Sequence, residues 1–444
     1  MRTNAVQIGT CTIGGGNPVA VQSMCNTDTL DVEASVAQCK ALAAAGCTLI
    51  RLTTQGLAQV EALAQIQRRL RAEGITNPLV ADVHFNAQVA FAAAAVVQKV
   101  RINPGNFSKD PERAAGLLRQ LIAVCKTHHT TLRIGVNHGS LSTHILETWG
   151  NGPGGMCEGA MEYLRICKEE HFDRVVVSLK SSNTRVMTDA YRALVTAMEA
   201  EGMHYPLHLG VTEAGNGRSA RLKSAAALYT LLQEGIGDTL RVSLTENPVA
   251  EIVFGRKLVD YFTATRTGEH TGPMKDWDDL ILDACYRWAP GLLNKTIDSS
   301  NLSLPFVQLP AAPITPWQPS PEELKEFCLD LLQATRCRFT KPEYVSCPGC
   351  GRTLYNLEET VARIQKATAH LKGFTIAVLG CIVNGPGEMA DADYGYVGEG
   401  RNHITLYKGK TPVLRGVPQE EAVERLLALI ESDRVMEKDR DTTK

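Results

Sequence analysis

No run of this sequence approaches the ~20 consecutive apolar residues that a membrane-spanning helix needs. The opening stretch, Met1 to Gly9, has neither an apolar signal core nor an Arg- and Ser-rich transit pattern. An excess of charge of one sign is also missing. Forty-six Lys and Arg face 48 Asp and Glu, a net charge of −2, which excludes any general attraction for nucleic acid or an anionic membrane. An anion site must therefore be a local cluster of Arg and Lys. Thirteen cysteines in 444 residues are too few for a disulfide scaffold. Cys39, Cys47, Cys125 and Cys167 fall inside helix and strand patterns and read as ordinary buried thiols. Together these absences predict a cytoplasmic protein in a reducing compartment, with no membrane and no nucleic acid among its partners.

What is present begins with three cysteines and a glutamate near the C-terminus, in Cys347-Pro-Gly-Cys350 and Cys381-Ile-Val-Asn-Gly-Pro-Gly-Glu388. A structural zinc site closes on four thiolate or imidazole ligands. No second CxxC and no histidine pair at finger spacing follows, although His403 is a candidate fourth zinc ligand. A cubane iron–sulfur cluster needs one ligand per iron, normally thiolate. A carboxylate in the fourth place, Glu388, is held more weakly and leaves one iron able to exchange its ligand. The set Cys347, Cys350, Cys381 and Glu388 thus points to one 4Fe-4S cluster that does chemistry. Ile376 to Gly380 reads as a buried strand leading into Cys381. The turn Asn384-Gly-Pro-Gly387 lets backbone N–H groups approach cluster sulfurs.

At 444 residues, 44% hydrophobic and 21% charged, the chain predicts a globular protein of two domains, one of them large. From Pro18 to Tyr261 a short apolar strand, a polar loop and an amphipathic helix repeat. The strands read Val19–Ser23, Thr48–Leu52, Leu79–Asp82, Lys99–Ile102, Thr131–Gly135, Arg174–Ser178, Pro206–Gly210 and Thr239–Ser243. Helices include Asp31–Ala45, Leu57–Ala72, Pro111–Lys126 and Thr184–Glu201. Eight such units predict an α/β fold, a (β/α)8 TIM-like barrel. A doubly wound sheet is the runner-up. It lacks the GxGxxG expected after its first strand, since Gly14-Gly-Gly16 comes before that strand.

Barrel active sites lie at the C-terminal ends of the strands. Those positions give Ser23, Arg51, Asp82 with His84, Arg101 with Asn103, Arg133 with Asn137, Ser178 with Lys180, His208 with Glu213, and Arg241 with Ser243. Four arginines and a lysine converge on one mouth, where Asp82 and Glu213 can neutralise only two of them. Burying the remainder demands an anionic guest, and guanidinium forks fit a diphosphate.

These motifs resemble the 4-hydroxy-3-methylbut-2-enyl diphosphate synthase family. Val21-Gln-Ser-Met-Cys-Asn-Thr27, Val80-Ala-Asp-Val-His-Phe85, Arg101-Ile-Asn-Pro-Gly-Asn106, Arg133-Ile-Gly-Val-Asn137, His208-Leu-Gly-Val-Thr-Glu-Ala-Gly215 and Gly235 to Leu244 are similar to its signature loops, as is the cysteine pair of motifs. The resemblance implies reductive opening of 2-C-methyl-D-erythritol 2,4-cyclodiphosphate to 4-hydroxy-3-methylbut-2-enyl diphosphate in isoprenoid biosynthesis. Two electrons would pass from ferredoxin or flavodoxin through the cluster. It implies that Arg51, Arg101, Asn103, Arg133, Asn137, Lys180, Arg241 and Ser243 hold the diphosphate, with His208 and Asn384 beside the substrate. Glu213 would act as proton donor, and Glu388 would free the reactive iron. Rival readings are a phosphosugar aldolase or isomerase with a structural zinc tail, and a non-catalytic electron-transfer protein. The pattern leaves open whether the site forms within one chain or across a homodimer.

The expected domains are a barrel over 1–265, an insert over 266–337 and a small α+β cluster domain over 338–444. The insert holds the Pro-rich stretch Leu304 to Pro316 and helical pieces at Trp277–Trp288 and Pro321–Ala334. It reads as a stiff spacer, shortened relative to plant-like members of the family. The last domain is expected to have a helix at Leu357–Leu371, strands near Tyr394 and His403, and a helix over Gln419–Met436. The tail Lys438–Lys444 reads as disordered.

Overall fold

Parallel strands covered by helices are buried on both faces, and the strand sequences here show it: Val175-Val-Val-Ser-Leu-Lys180 is buried at every position. The computed structural model describes residues 2–269, 274–298, 317, 319–382, 389, 392–400 and 402–441, with side chains described as far as 433. An antiparallel hairpin of β1 (Val6–Ile8) and β2 (Cys11–Ile13) comes first. It packs Val6, Ile8 and Ile13 against Ala20, Leu49, Val80 and Val176 near the starts of barrel strands, forming the barrel floor. The sequence reading did not anticipate this hairpin.

Eight parallel strands follow: β3 (Ala20–Met24), β4 (Leu49–Thr53), β5 (Leu79–Asp82), β6 (Lys99–Ile102), β7 (Thr131–Asn137), β8 (Val175–Lys180), β9 (His208–Leu209) and β10 (Thr239–Leu240). Each pairs with the next, β10 pairs with β3, and the Val177–Leu207 bridge closes the ring between β8 and β9. The expected (β/α)8 barrel is thus present. The last two strands are shorter than expected, because beyond Leu209 and Leu240 the chain leaves the ladder to present side chains at the mouth. Helix starts follow the sequence signals. Asp31, Asp110, Asn183 and Asn247 each accept a hydrogen bond from the first turn they cap, and Pro111 and Pro248 sit just inside their helices.

The insert needs a correction. Its described helices, α11 (Trp277–Leu293) and α12 (Pro321–Ala334), lie on the barrel and share its core through Leu280, Ile281, Cys285, Leu292, Phe327 and Leu331. Tyr286 meets Tyr229, Tyr261 and Phe262 ring to ring, while Phe327 stacks on Trp277 at 6.0 Å. These pieces therefore extend the barrel wall. The Pro-rich stretch lies outside the described residues.

The C-terminal domain has its own core around a five-stranded sheet of β11 (Glu343–Ser346), β12 (Thr375–Leu379), β13 (Tyr394–Gly400), β14 (His403–Lys408) and β15 (Thr411–Pro418). The first three strands are parallel and the last three antiparallel. Helix Leu357–Thr368 covers one face. The terminal helix runs over Gln419–Asp441, further than expected, so the chain up to Asp441 is helical rather than irregular. Among the described residues no helix is long and apolar enough to cross a membrane.

If α12 belongs to the barrel core, Phe327→Ala should destabilise the protein by about 3–5 kcal/mol, measured by urea unfolding. A loss within roughly 0.5 kcal/mol, the usual range for surface sites, would return the segment to a loosely attached spacer.

Candidate active site

The barrel mouth collects charge because successive strand ends carry it in register. Asp82 on β5 pairs with Arg101 on β6, Arg101 with Arg133 on β7, and Asn137 with Lys180 on β8. Two glycines make room for these long side chains. A Cβ on Gly135 would stand 2.6 Å from Arg101 Nε, and one on Gly210 would stand 2.7 Å from Lys180 Nζ. The resulting cleft encloses about 710 Å³ of non-protein space, open solvent at its mouth included. Arg51, Arg101, Arg133, Asn137, Lys180, Glu213, Arg241 and Ser243 line it from the barrel. Cys347, Cys350 and Cys381 line it from the C-terminal domain, so the cleft is completed within one chain.

Asp82 is almost wholly buried and accepts from Arg101 Nη1 at 3.1 Å. Burial alone would raise its pKa, but Arg51, His84 and Arg101 hold it well below the carboxylate range. Arg101 also donates to His84 Nε2 at 2.7 Å and to the Gly135 carbonyl at 3.0 Å. Arg241 makes two 2.9 Å bonds to Glu251, whose carboxylate also accepts from Ser23 Oγ at 2.6 Å. Glu251, on the helix Pro248–Thr267, is a third neutralising acid that the strand-end count missed. Arg241 is thus a structural partner of Glu251 as well as a cavity donor. Arg133 is 1% exposed, and its Nε and Nη1, like Arg101 Nε, have no partner among the described residues.

The remaining imbalance is visible in the titrations. Burial, with neighbouring cations opposing it further, pulls Arg133 and Lys180 well below their ordinary values. Arg51 is lowered to about 10, by burial first and then by Arg241 and Arg101. Charged groups that are this poorly compensated gain from an anion placed among them.

Glu213 is 1% exposed and holds a left-handed backbone with φ of +52°, a conformation costly for a residue with a Cβ. Its carbonyl accepts from Ser346 N at 3.2 Å, part of a parallel bridge between Ala214 and Ser346. The barrel acid and the strand leading to Cys347 are therefore joined through backbone. Thr245 Oγ adds bonds to Ser346 Oγ at 2.7 Å and to the Cys347 carbonyl at 2.9 Å.

The three cysteines bring to the cleft thiols of the kind that hold the corners of an iron–sulfur cluster. Cys347 Sγ accepts the Gly380 backbone N–H at 3.3 Å, the kind of bond that stabilises a cluster sulfur. Burial first, then Cys381, raises the Cys347 thiol far above its usual value, which a cationic centre between the sulfurs would reverse.

Two residues expected beside the substrate do not line the cleft. Asn103 caps the short helix Pro104–Phe107 through Gly105 N and donates to Ser140 Oγ at 2.8 Å. His208 is fully buried in the barrel interior, near Thr239 and among Lys180, Arg133 and Lys99. Asn384 and Glu388 lie outside the described residues. Arg352 was missed altogether, although it stands two positions after Cys350. Met24 and Thr212 also line the cleft.

Fold and cleft together define a (β/α)8 barrel with a cationic mouth that is covered by a cysteine-bearing domain. The chain belongs to the GcpE family: residues 3–256 match the GcpE TIM-barrel domain and residues 343–432 the GcpE protein C-terminal domain. It is 37% identical over 600 aligned residues to the 4-hydroxy-3-methylbut-2-en-1-yl diphosphate synthase (flavodoxin) of Parabacteroides distasonis, covering 97% of this chain and 98% of that one. It is 43% identical over 449 residues to the 4-hydroxy-3-methylbut-2-en-1-yl diphosphate synthase (ferredoxin) of Synechococcus sp. strain CC9311, covering 97% and 94%. The Parabacteroides protein carries stretches with no counterpart here, since its alignment is longer than this chain.

The His84 ring yields a pH test. Burial and then Arg101 lower it from 6.5 to about 3, so the unfolded chain takes up a proton in that window while the folded one does not. Stability is therefore full above pH 6.5 and falls as pH drops toward 3. His84→Gln should flatten the fall of the urea midpoint between pH 7 and 5. His208, shifted in the same direction, keeps part of the slope. An unchanged slope would mean that His84 is protonated in the folded protein.

Proposed function

We propose that this chain opens the ring of 2-C-methyl-D-erythritol 2,4-cyclodiphosphate reductively, giving 4-hydroxy-3-methylbut-2-enyl diphosphate. A ring C–O bond to phosphate breaks, a hydroxyl departs as water, and two electrons enter. The observation that carries the reading is one cleft shared by a cationic barrel mouth and three thiols.

Arg51, Arg101, Arg133, Lys180 and Arg241, with Asn137 and Ser243, hold the diphosphate. Arg133 contributes Nε and Nη1, which have no partner among the described residues. Preorganised cations of this kind orient the guest and cost no rearrangement during reaction. Asn103 and His208 act from behind, the first by fixing the loop after β6 and the second within the barrel. Asn384 adds a polar contact to the substrate. Glu213 delivers the proton that turns the departing hydroxyl into water, from a carboxyl beside both anion site and thiols.

Cys347, Cys350, Cys381 and Glu388 hold one 4Fe-4S cluster. When bound, this cluster supplies single electrons at an iron whose carboxylate ligand exchanges more readily than thiolate. The electron donor is a small redox protein, flavodoxin or ferredoxin, as the names of the relatives suggest. The chain divides for this work into the barrel of 1–265, the segment 266–337 and the cluster domain of 338–444.

Iron and sulfide analysis of anaerobically purified protein tests the cluster. Cys350→Ser should lose the brown chromophore and its iron, while Cys39→Ser, buried in helix Val32–Ala44, should keep both. Full iron in Cys350→Ser, or zinc without sulfide in the native protein, contradicts the assignment.

Glu213→Gln tests the proton donor. It should keep native iron content and substrate affinity but slow single turnover with a chemical reductant by about 10²-fold or more. A native rate would remove Glu213 from that role.

A further inference from the structure

Six cations line the cleft, and five of them stand on the barrel. The sixth, Arg352, comes from the C-terminal domain and has had no task so far. Its side chain is 9% exposed, and its Nη2 donates to Asp82 Oδ2 at 3.1 Å. The other oxygen of Asp82 takes Arg101 at 3.1 Å. One buried carboxylate thus joins an anion-binding arginine of the barrel to an arginine of the cysteine-bearing loop.

The loop is built to deliver this side chain. Cys350 N donates to Thr353 Oγ1 at 3.0 Å, which closes the turn around Gly351 and Arg352. A Cβ on Gly351 would lie 2.7 Å from the Thr27 carbonyl, so the turn rests directly on the loop after β3. Arg352 Nε is buried without a partner among the described residues. One donor of this guanidinium therefore holds the barrel while another is uncommitted among the described residues.

We propose that Arg352 is a positioning residue that couples docking of the cysteine-bearing domain to substrate binding. Its pair with Asp82 clasps the Cys347–Cys350 loop onto the mouth, and its Nε–H adds a sixth cationic donor to the anionic substrate. The second half rests on the reading that the cleft binds a cyclic diphosphate. An anion that engages Arg352 stabilises the docked domain, and by linkage the docked domain binds the anion more tightly. A purely structural ion pair would hold the domains together but leave substrate affinity and substrate-induced protection alike unconnected to it.

The test uses the iron-loaded full chain, comparing native protein with Arg352→Gln and Arg352→Lys. Hydrogen exchange is read at Ser346–Thr353 and Thr212–Gly215, with and without 2-C-methyl-D-erythritol 2,4-cyclodiphosphate, beside the dissociation constant. In native protein the substrate should add protection to both segments. Arg352→Gln should keep its iron, lose about tenfold or more in affinity, as expected for one charged hydrogen bond, and lose most of the substrate-induced protection. Arg352→Lys, which keeps the charge on a shorter reach, should recover part of both. Native protection in Arg352→Gln, with or without an affinity loss, would overturn the coupling. Failure of native protein to bind the cyclodiphosphate would instead defeat the functional reading. The clasp itself is then judged by exchange without ligand: faster exchange at Ser346–Thr353 in Arg352→Gln upholds it, and native exchange rejects it.

Discussion

A surplus of buried positive charge at one end of a barrel is the constraint around which the rest of the molecule is arranged. Six cationic side chains share a cleft with the carboxylates of Asp82 and Glu213, backed by Glu251. Leaving a cation dry and unpaired costs several kcal/mol, on the order of the net stability of a domain. The structure meets this cost unevenly. Asp82 and Glu251 pair with Arg101, Arg352 and Arg241, and these pairs fix the geometry of the mouth. Arg133 and Lys180 are left poorly compensated. The protein thus holds donors ready in a rigid frame and leaves their neutralisation to the guest.

The barrel was legible because its signal is repeated. Eight apolar strands with capped helices between them carry the same message many times, so errors of up to three residues at the ends of β9 and β10 do not alter the fold. The cationic mouth was legible for a related reason: in this architecture the end of each strand has a known place, and position along the strand suffices to assign it. Cys347, Cys350 and Cys381 stood out in the sequence as a donor set, and the structure brings them to one cleft. Their meeting with the arginines was inferred from the resemblance, because the sequence contains no direct sign of how the two domains dock.

What escaped the sequence shares one trait: it depends on contacts between elements far apart in the chain. Glu251 looks like an ordinary first-turn acid, and nothing nearby says that it faces Arg241. Asn103 reads as a strand-end polar group until the helix it caps is seen. His208 has the right position by count but points to the interior, beneath the cleft. The hairpin Val6–Ile13 is too short for periodicity to register, and the helices of the insert show their apolar faces only against the barrel wall they cover.

The junction between the domains explains why the two halves of the site cannot be treated as separate. Glu213 holds a left-handed backbone that a non-glycine residue adopts at a cost of roughly 1–2 kcal/mol. The contact that receives its carbonyl is Ser346 N, at the end of the strand that leads into Cys347. On the far side of the same strand, Glu343 is buried between Lys223 of the barrel, at 3.1 Å, and Arg336, at 3.0 Å. A strand anchored at one end by an ion triad and at the other by a backbone bridge has little freedom to slide. It sets the height of the first cysteine over the mouth and the orientation of the acid below it through a single rigid element. The spacing between the cationic mouth, the Glu213 carboxyl and the thiols is therefore a property of strand β11 and its two anchors, more than of either domain alone.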